Sequence, residues 1–365
     1  MPEILEIDTL FRSMSKLGAS DIHLKYGMPP TVRIKTDLRP LNAPPLTDDD
    51  LKRMARSMIN EEQHKRFESA LNLDFAYELS ETERFRVAIF YQRNHTGIVA
   101  RRVNNYIPDF AALHLPPVIN GICDVQQGLI LVTGVTGSGK STTIASMIQQ
   151  IIKTRRCNIV TVEDPIEYIF TDDKAIVSQR EVGIDVHDFH TALRHVVRQD
   201  PDVIVIGECR DEETLQAGLT AAETGHLVFT TLHSANVAQT MSRILEFFPQ
   251  EREVQIRRQL QFNLRAIISQ KILPSIAPGV AMVPAIEIML NTPMVRQLIT
   301  DGRDREIPEA IAADPDTGMQ DFNLSLLWLV KENLADRRVC LRYTDNPEAL
   351  KRLLAGITTK GGIVG

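Results

Sequence analysis

The stretch Gly134-Val-Thr-Gly-Ser-Gly-Lys-Ser141 decides the reading of this chain. It follows the apolar run Leu129-Ile-Leu-Val-Thr133 and precedes Thr142-Thr-Ile-Ala-Ser-Met-Ile-Gln-Gln150, which reads as a helix. It therefore lies at a strand-to-helix turn and fits G-x-x-x-x-G-K-[ST] there, the context that separates a phosphate loop from a chance match. Glycines let the backbone curl so that several N–H groups point into one concavity, and the following helix adds its positive end. Lys140 can bring a point charge to the β- and γ-phosphates, and the Ser141 hydroxyl can ligate Mg2+. The expectation is a nucleoside triphosphate site. Its binding residues are Gly134, Thr136, Gly137, Ser138, Gly139, Lys140, Ser141 and Thr142.

Working outward, 365 residues imply two domains. Apolar residues make up 43 % and charged residues 24 %, as in a soluble globular protein. The net charge of −6 does not favour nucleic acid as the main partner. No apolar run approaches the ~20 residues that span a bilayer. Met1-Pro-Glu-Ile-Leu-Glu lacks the basic start and apolar core of a signal peptide, so a cytoplasmic location is expected. Cys123, Cys157, Cys209 and Cys340 are scattered singly, and with no C-x-x-C pair they indicate neither a zinc knuckle nor a disulfide framework.

Before the loop the pattern is α+β. Ile4 to Leu17 has helical spacing, Ser20 to Leu24 and Thr31 to Lys35 read as short strands, and Thr47-Asp-Asp-Asp50 caps a helix from Leu51 to Ile59. Leu73 to Tyr77, Arg84 to Gln92 and Gly97 to Val103 alternate as half-buried strands do. The prolines at 108, 116 and 117 mark a connector. Beyond it, Gly128 to Thr133, Asn158 to Val162, Val203 to Ile206 and Leu227 to Thr231 read as buried parallel strands with helices between them. Glu251 to Lys271 is expected as one long amphipathic helix and Ala281 to Met289 as a strand. From Met294 the chain reads as helical, and Thr358 to Gly362 as a frayed tail. The expected boundaries are 1–107, a linker 108–117, 118–345 with C-terminal helices, and a tail 346–365.

Several other stretches carry chemistry. Val203-Ile-Val-Ile-Gly-Glu208 reads as a strand ending in a carboxylate, and such an acid faces the γ-phosphate and Mg2+ in P-loop proteins. Glu208 suits a base that must reach an attacking water; the plainer reading is a solvated acid at a strand end. Thr161-Val-Glu-Asp-Pro-Ile-Glu167 follows another strand, so Glu163 or Glu167 could polarise water or hold hydrated Mg2+, unless these acids only cap a turn at Pro165. His226 and His233 bracket one strand. His233, at its C-terminal end, could sense the γ-phosphate, while His226 reads equally well as a structural hydrogen-bonder. Arg84, Arg86, Arg93, Arg101 and Arg102 suit phosphate clamping by planar, permanently charged groups, against a plain reading as surface charges.

Together these motifs resemble the secretion-type hexameric ATPases, and within them the type IV pilus retraction motors of the PilT/PilU family. The resemblance runs from about Ile4 to Leu329. It rests on Gly18-Ala-Ser-Asp-Ile-His23, Arg84-Phe-Arg-Val87, the phosphate loop, Glu163-Asp-Pro-Ile-Glu167, Gln179-Arg-Glu-Val-Gly183, Gly207-Glu-Cys-Arg-Asp211, Ala221-Ala-Glu-Thr-Gly-His226, Thr231-Leu-His233 and Gly318-Met-Gln320.

The resemblance implies an α/β chain: a PAS-like α+β N-terminal domain followed by a RecA-like P-loop ATPase domain with a helical C-terminal region. It implies ATP and Mg2+, a homohexamer, and work against an inner-membrane pilus platform protein at the cytoplasmic face, with a paralogous pilus ATPase as a further partner and no nucleic acid. Glu208 matches the family's general base, Glu163 its acidic box, and His226 and His233 its histidine box. Arg86 and Arg101 are the arginines expected to reach the nucleotide, from the same or a neighbouring chain. Ser141, Glu163 and Glu208 are the expected metal-side residues.

Val135 stands where the family usually has proline, and Cys209 where methionine or isoleucine is common. Pro293-Met-Val-Arg-Gln-Leu-Ile299 only loosely matches the segment linked to retraction. Gln179 to Asp185 and Asn104 to Pro108 lean towards the accessory paralogue. Pilus assembly and secretion relatives carry a four-cysteine zinc module and a longer N-terminal domain, and this sequence has neither. A weakly hydrolysing regulator is disfavoured by the intact acids Glu163 and Glu208.

Overall fold

The structure is a computed structural model that describes residues 5–34, 37–80, 83–103 and 106–357. The expectations for Asn104, Asn105, Lys35 and the tail from Thr358 lie outside the described residues. The chain divides into two units. One runs to Tyr106 and takes in Glu167–Ile169; the other holds Ile107–Ile166 and the chain from Phe170 onward.

The first unit begins with α1 (Ile7–Lys16), β1 (Asp21–Lys25), β2 (Thr31–Ile34) and β3 (Asp37–Pro40). It continues through α2 (Asp48–Met58), α3 (Glu61–Ala70), β4 (Asn72–Ser80), β5 (Glu83–Gln92) and β6 (His95–Arg102). Thr47 caps α2: its hydroxyl accepts from the Asp50 N–H while the Asp50 carboxylate accepts from the Thr47 N–H, a reciprocal box. The strands form one sheet in the order β3-β2-β1-β6-β5-β4, with every paired neighbour antiparallel. Phe11 of α1 stacks on Phe85 of β5 at 4.3 Å between ring centres, and both are fully buried in the core of this unit. Because strand side chains alternate, burying Phe85 and Val87 turns Arg84 and Arg86 to the opposite face.

The second unit comprises α4 (Val118–Cys123), β7 (Gly128–Thr133), α5 (Lys140–Thr154), β8 (Asn158–Glu163), β9 (Ile176–Glu181), α6 (Phe189–Val196), β10 (Val203–Ile206), α7 (Glu212–Glu223), β11 (Leu227–Leu232) and α8 (Val237–Glu246). After these come α9 (Glu253–Asn263), β12 (Leu264–Pro274), β13 (Met282–Leu290), α10 (Pro293–Thr300), α11 (Ile307–Ala313), α12 (Phe322–Lys331), α13 (Arg337–Tyr343) and α14 (Pro347–Leu354). The sheet order is β13-β12-β7-β11-β10-β8-β9. All pairings are parallel except that of the edge strand β13 with β12. Both faces are covered. In β7, Leu129 and Leu131 enter the core beneath α6 to α11, while Ile130 and Val132 enter the core beneath α4 and α5. A smaller apolar cluster joins Leu273, Val283 and Ala285 to α12, α13 and α14.

The long helix expected over Glu251 to Lys271 is corrected. The helix ends at Asn263 and the chain turns directly into β12. Leu264 and Ile267 bury on one face of the sheet, and Ala266 and Ile268 on the other. A strand apolar on both faces has no alternation to betray it, so its sequence cannot be told from a buried helix by periodicity.

Candidate active site

Four parallel strands, β7, β8, β10 and β11, end at the same edge of the sheet, and each delivers one part of the site there. The phosphate loop leaves β7 after Thr133. Gly134 has φ +151, and a Cβ on it would lie 2.3 Å from Ser138 Oγ and 2.6 Å from the Gln270 carbonyl oxygen, so no larger residue fits. Gly139, in the left-handed region, starts α5. Lys140, buried in the first turn, donates from Nζ to the carbonyls of Gly134 at 2.8 Å and Val135 at 3.2 Å. Thr136 and Gly137 are exposed on the loop, and Ser141 and Thr142 are half-buried at the start of α5. The Ser138 hydroxyl is buried with no hydrogen-bond partner among the described residues.

At the end of β8, Glu163 Oε1 accepts from Thr161 Oγ1 at 2.6 Å and Gln179 Nε2 at 3.1 Å. Gly207, just past β10, packs tightly on that strand end: a Cβ there would lie 3.2 Å from the Glu163 Cα. The next residue is Glu208. Its Oε2 accepts from Arg210 at 2.8 Å, and its Oε1 lies 3.2 Å from His233 Nε2. Partial burial pushes the Glu208 carboxyl up. The Arg210 hydrogen bond and charge, with the charges of His233 and Lys140, outweigh that and hold it below the usual carboxylate range. The loop lysine thus lies within electrostatic reach of the strand-end acid. Thr231 Oγ1 donates to the Gly207 carbonyl at 2.8 Å, and the Cys209 N–H to the Thr231 carbonyl at 2.9 Å, tying the two strand ends together.

Lys140, Glu208 and His233 therefore lie in one neighbourhood. His226 does not: it precedes β11 at the opposite end of the strand, about 20 Å away along six residues of extended chain. Its Nδ1 lies 2.8 Å from the Ala221 carbonyl and 3.1 Å from Thr224 Oγ1, a structural turn behind α7. Glu167 groups with the first unit rather than with Glu163. Arg86 and Arg101 also belong to the first unit, where they face each other across β5 and β6. Arg101 Nε donates to the buried Asp21 at 2.7 Å. Burial pushes the Asp21 carboxyl up, but hydrogen bonds from Ser20 and Arg101 hold it below the usual range.

Three site contacts escaped the sequence reading. Arg210 was visible inside Gly207-Glu-Cys-Arg-Asp211, but its pairing with Glu208 needs the irregular segment after β10. Gln179 reaches Glu163 only because β9 adds to β8 in register. Gln270 presents its carbonyl to Gly134 and donates to Thr143 Oγ1 at 3.0 Å, on the strand that was expected as helix.

The family profile described as "Type II/IV secretion system protein" matches residues 2–303. The chain belongs to that family. "Type IV pilus retractation ATPase PilT" of Pseudomonas aeruginosa is 40 % identical over 344 residues, 94 % of this chain and 99 % of that protein. "Type IV pilus ATPase PilU" of the same organism is 36 % identical over 350 residues, 96 % of this chain and 91 % of that one. A solved structure, "Crystal Structure of the Pilus Retraction Motor PilT and Bound ADP", superposes with a TM-score of 0.88 at 41 % identity, covering 95 % of this chain and 99 % of that one. The protein is thus a PilT-type secretion ATPase, with the mixed α/β architecture expected for one. Among the described residues no helix is long and apolar enough to cross a membrane.

Proposed function

We propose that this ATPase is the motor of type IV pilus retraction, the activity named for its Pseudomonas aeruginosa relative. It would work as a homohexamer against an inner-membrane pilus platform protein at the cytoplasmic face, alongside a paralogous pilus ATPase. The observation that carries the hydrolytic half is the ionised Glu208, held between Arg210 and His233 and within the field of Lys140.

The chemistry follows from that arrangement. In the present geometry Lys140 satisfies its ammonium with two loop carbonyls. Incoming β- and γ-phosphates offer it stronger, charged acceptors. The unpartnered Ser138 hydroxyl and the N–H groups at the start of α5 then have phosphate oxygens to bond. Glu208, being ionised, can accept a proton from a water lined up on the γ-phosphorus. Its two present partners take one contact on each carboxylate oxygen, and the second lone pair of each stays available to that water. His233, on turning from Glu208, can donate to the anionic γ-phosphate. A carboxyl held below its usual range stays ionised at neutral pH, so it can orient the water as well as accept its proton.

The donors fit Mg2+. They are the Ser141 hydroxyl and the carboxylates of Glu163 and Glu208, all hard oxygens. Among the described residues no cluster of three or more acidic, histidine or cysteine side chains could hold a metal alone, which suits an ion that keeps waters and nucleotide oxygens in its shell. Bound there, Mg2+ would neutralise charge between the β- and γ-phosphates.

Two variants separate binding from turnover. Lys140→Ala should lose ATP binding, read by a fluorescent nucleotide. Glu208→Gln should bind ATP normally and turn it over at least about a hundredfold more slowly. Normal turnover by the Glu208 variant would remove the assigned base. In the host, deleting the gene should leave excess surface pili and abolish twitching; absent pili would favour assembly instead.

A further inference from the structure

Beneath the phosphate loop lies a row of buried polar side chains that the hydrolytic reading does not use. Thr133, Ser269 and Glu287 sit opposite one another in register on β7, β12 and β13, so they share one face of the sheet. All three are buried. Thr133 Oγ1 lies 2.8 Å from Ser269 Oγ. Above them stands the first turn of α8. Thr240 Oγ1 of that helix is 3.3 Å from Thr133 Oγ1 and 2.7 Å from Ser234 Oγ. It is also 2.8 Å from the Asn236 carbonyl. Glu287 Oε2 accepts from the Val237 N–H at 2.7 Å, an orphan donor at the start of the helix.

The ends of this row decide what it can do. Thr133 is the last residue before the phosphate loop. Ser234 directly follows His233, and Asn236 and Val237 begin α8. Buried hydroxyls and a carboxylate are costly unless fully bonded, so a buried row of them across β7, β12 and the edge strand β13 fixes the relative positions of what it joins. What it joins here is the base of the loop that holds Lys140 and the segment that carries His233.

We propose that Glu287, Thr133, Ser269, Thr240 and Ser234 form a positioning layer that holds His233 in register with the phosphate loop. This rests on the role proposed for His233 above. Glu287 pins the start of α8, and the hydroxyls set the height of the His233 segment against β7. None of the five touches the reacting atoms in this arrangement; they act through His233. A shift of the imidazole by a fraction of an ångström would lengthen its 3.2 Å approach to Glu208.

The test is a double-mutant cycle on steady-state ATP turnover of the full-length protein. Thr240→Val removes the central hydroxyl and keeps the shape. It should lower kcat about tenfold, with the KM for ATP within about twofold. Thr240→Ser, which keeps the hydroxyl, should restore most of that loss. In a His233→Ala background the same Thr240→Val change should cost less than about twofold, because the residue it positions is gone. An equal loss in both backgrounds, an unchanged kcat, or a rise in KM that matches the fall in kcat would overturn the positioning layer alone. If His233→Ala by itself leaves turnover unaltered, the reading of His233 falls first and takes this inference with it. Thermal melting would confirm that each variant is folded. Should Thr240→Val not fold, Ser234→Ala runs the same cycle with the same expected outcomes.

Discussion

Glu287 is a carboxyl group 6 % exposed in an apolar strand, bonded among the described residues to one backbone N–H, that of Val237. Burial pushes its pKa up to about 7; the Val237 N–H and Lys271 pull the other way, while Asp321 and Asp345 add to the rise. The direction fixes the consequence. An acid whose folded pKa lies above its unfolded value binds its proton more tightly when folded. Its contribution to stability is therefore whole below about pH 4.5 and is lost as pH rises to about 7. Glu287→Gln keeps the acceptor for Val237 and cannot ionise. Measured by urea unfolding, the variant should match the wild type at pH 4.5 and exceed it at pH 8 by on the order of 3 kcal/mol. Equal stability at both pH values would show that water or a counter-charge already compensates the buried anion. Gly134 represents the other kind of residue, one whose identity follows from space alone, and the phosphate-loop pattern in the sequence already demands it. Glu287 gives no such signal. In Ile286-Glu287-Ile288 it reads as the polar half of an alternating strand, and only the helix above it shows that this polar face is buried.

Among elements, short strands bounded by turn residues were legible even with both faces buried, and the strand that runs straight on from a helix was not. β7, β10 and β11 announce themselves as short apolar runs between turn residues, and α5 by Ile144, Met147, Ile148, Ile151 and Ile152 at helical spacing. β9 is polar on the edge of the sheet, with Ile176 exposed, and had no apolar run to mark it. β12 failed for the reason already given. Its correct assignment changes an energetic expectation. On a solvent-facing amphipathic helix a lone apolar position is cheap to truncate. In β12, flanked by β7 and β13, Ile268 is fully buried between strands and beneath α4 and α5. Ile268→Ala should cost about 2–5 kcal/mol by loss of transfer energy and creation of a cavity. A fall in urea midpoint equivalent to less than about 1 kcal/mol would mean that the neighbouring strands collapse into the space. The same strand carries Ser269 and Gln270, so the misread element was also the one holding the floor of the phosphate loop.

For the whole molecule, the legible part of the candidate site lies in the second unit, and Arg86 and Arg101, the arginines expected to serve it, belong to the first. Lys140, Glu208 and His233 came from strand-end logic, which a sequence can supply. Which of the two is the better candidate to serve a nucleotide depends on what else each one holds. Arg101 is already committed: its Nε bonds the buried Asp21, which also holds Ser20 and lies 3.9 Å from Arg33, so Arg101→Ala should destabilise the protein by about 1 kcal/mol. Arg86 sits beside it in register, exposed, turned away from the core by Phe85 and Val87. Arg86→Ala should therefore leave the melting temperature unchanged and lower kcat at least about tenfold, with a smaller effect on nucleotide affinity, because a guanidinium that meets charge only in the transition state acts on turnover. If that arginine comes from a neighbouring chain, as the proposed hexamer allows, turnover per chain must also fall when the protein is diluted below the concentration at which it assembles. Light scattering and ATP turnover should then decline together in the wild type. An Arg86→Ala protein whose low residual rate is indifferent to dilution would agree, since it has no arginine left to lend. A wild-type rate that stays constant through dissociation would place the arginine within the same chain.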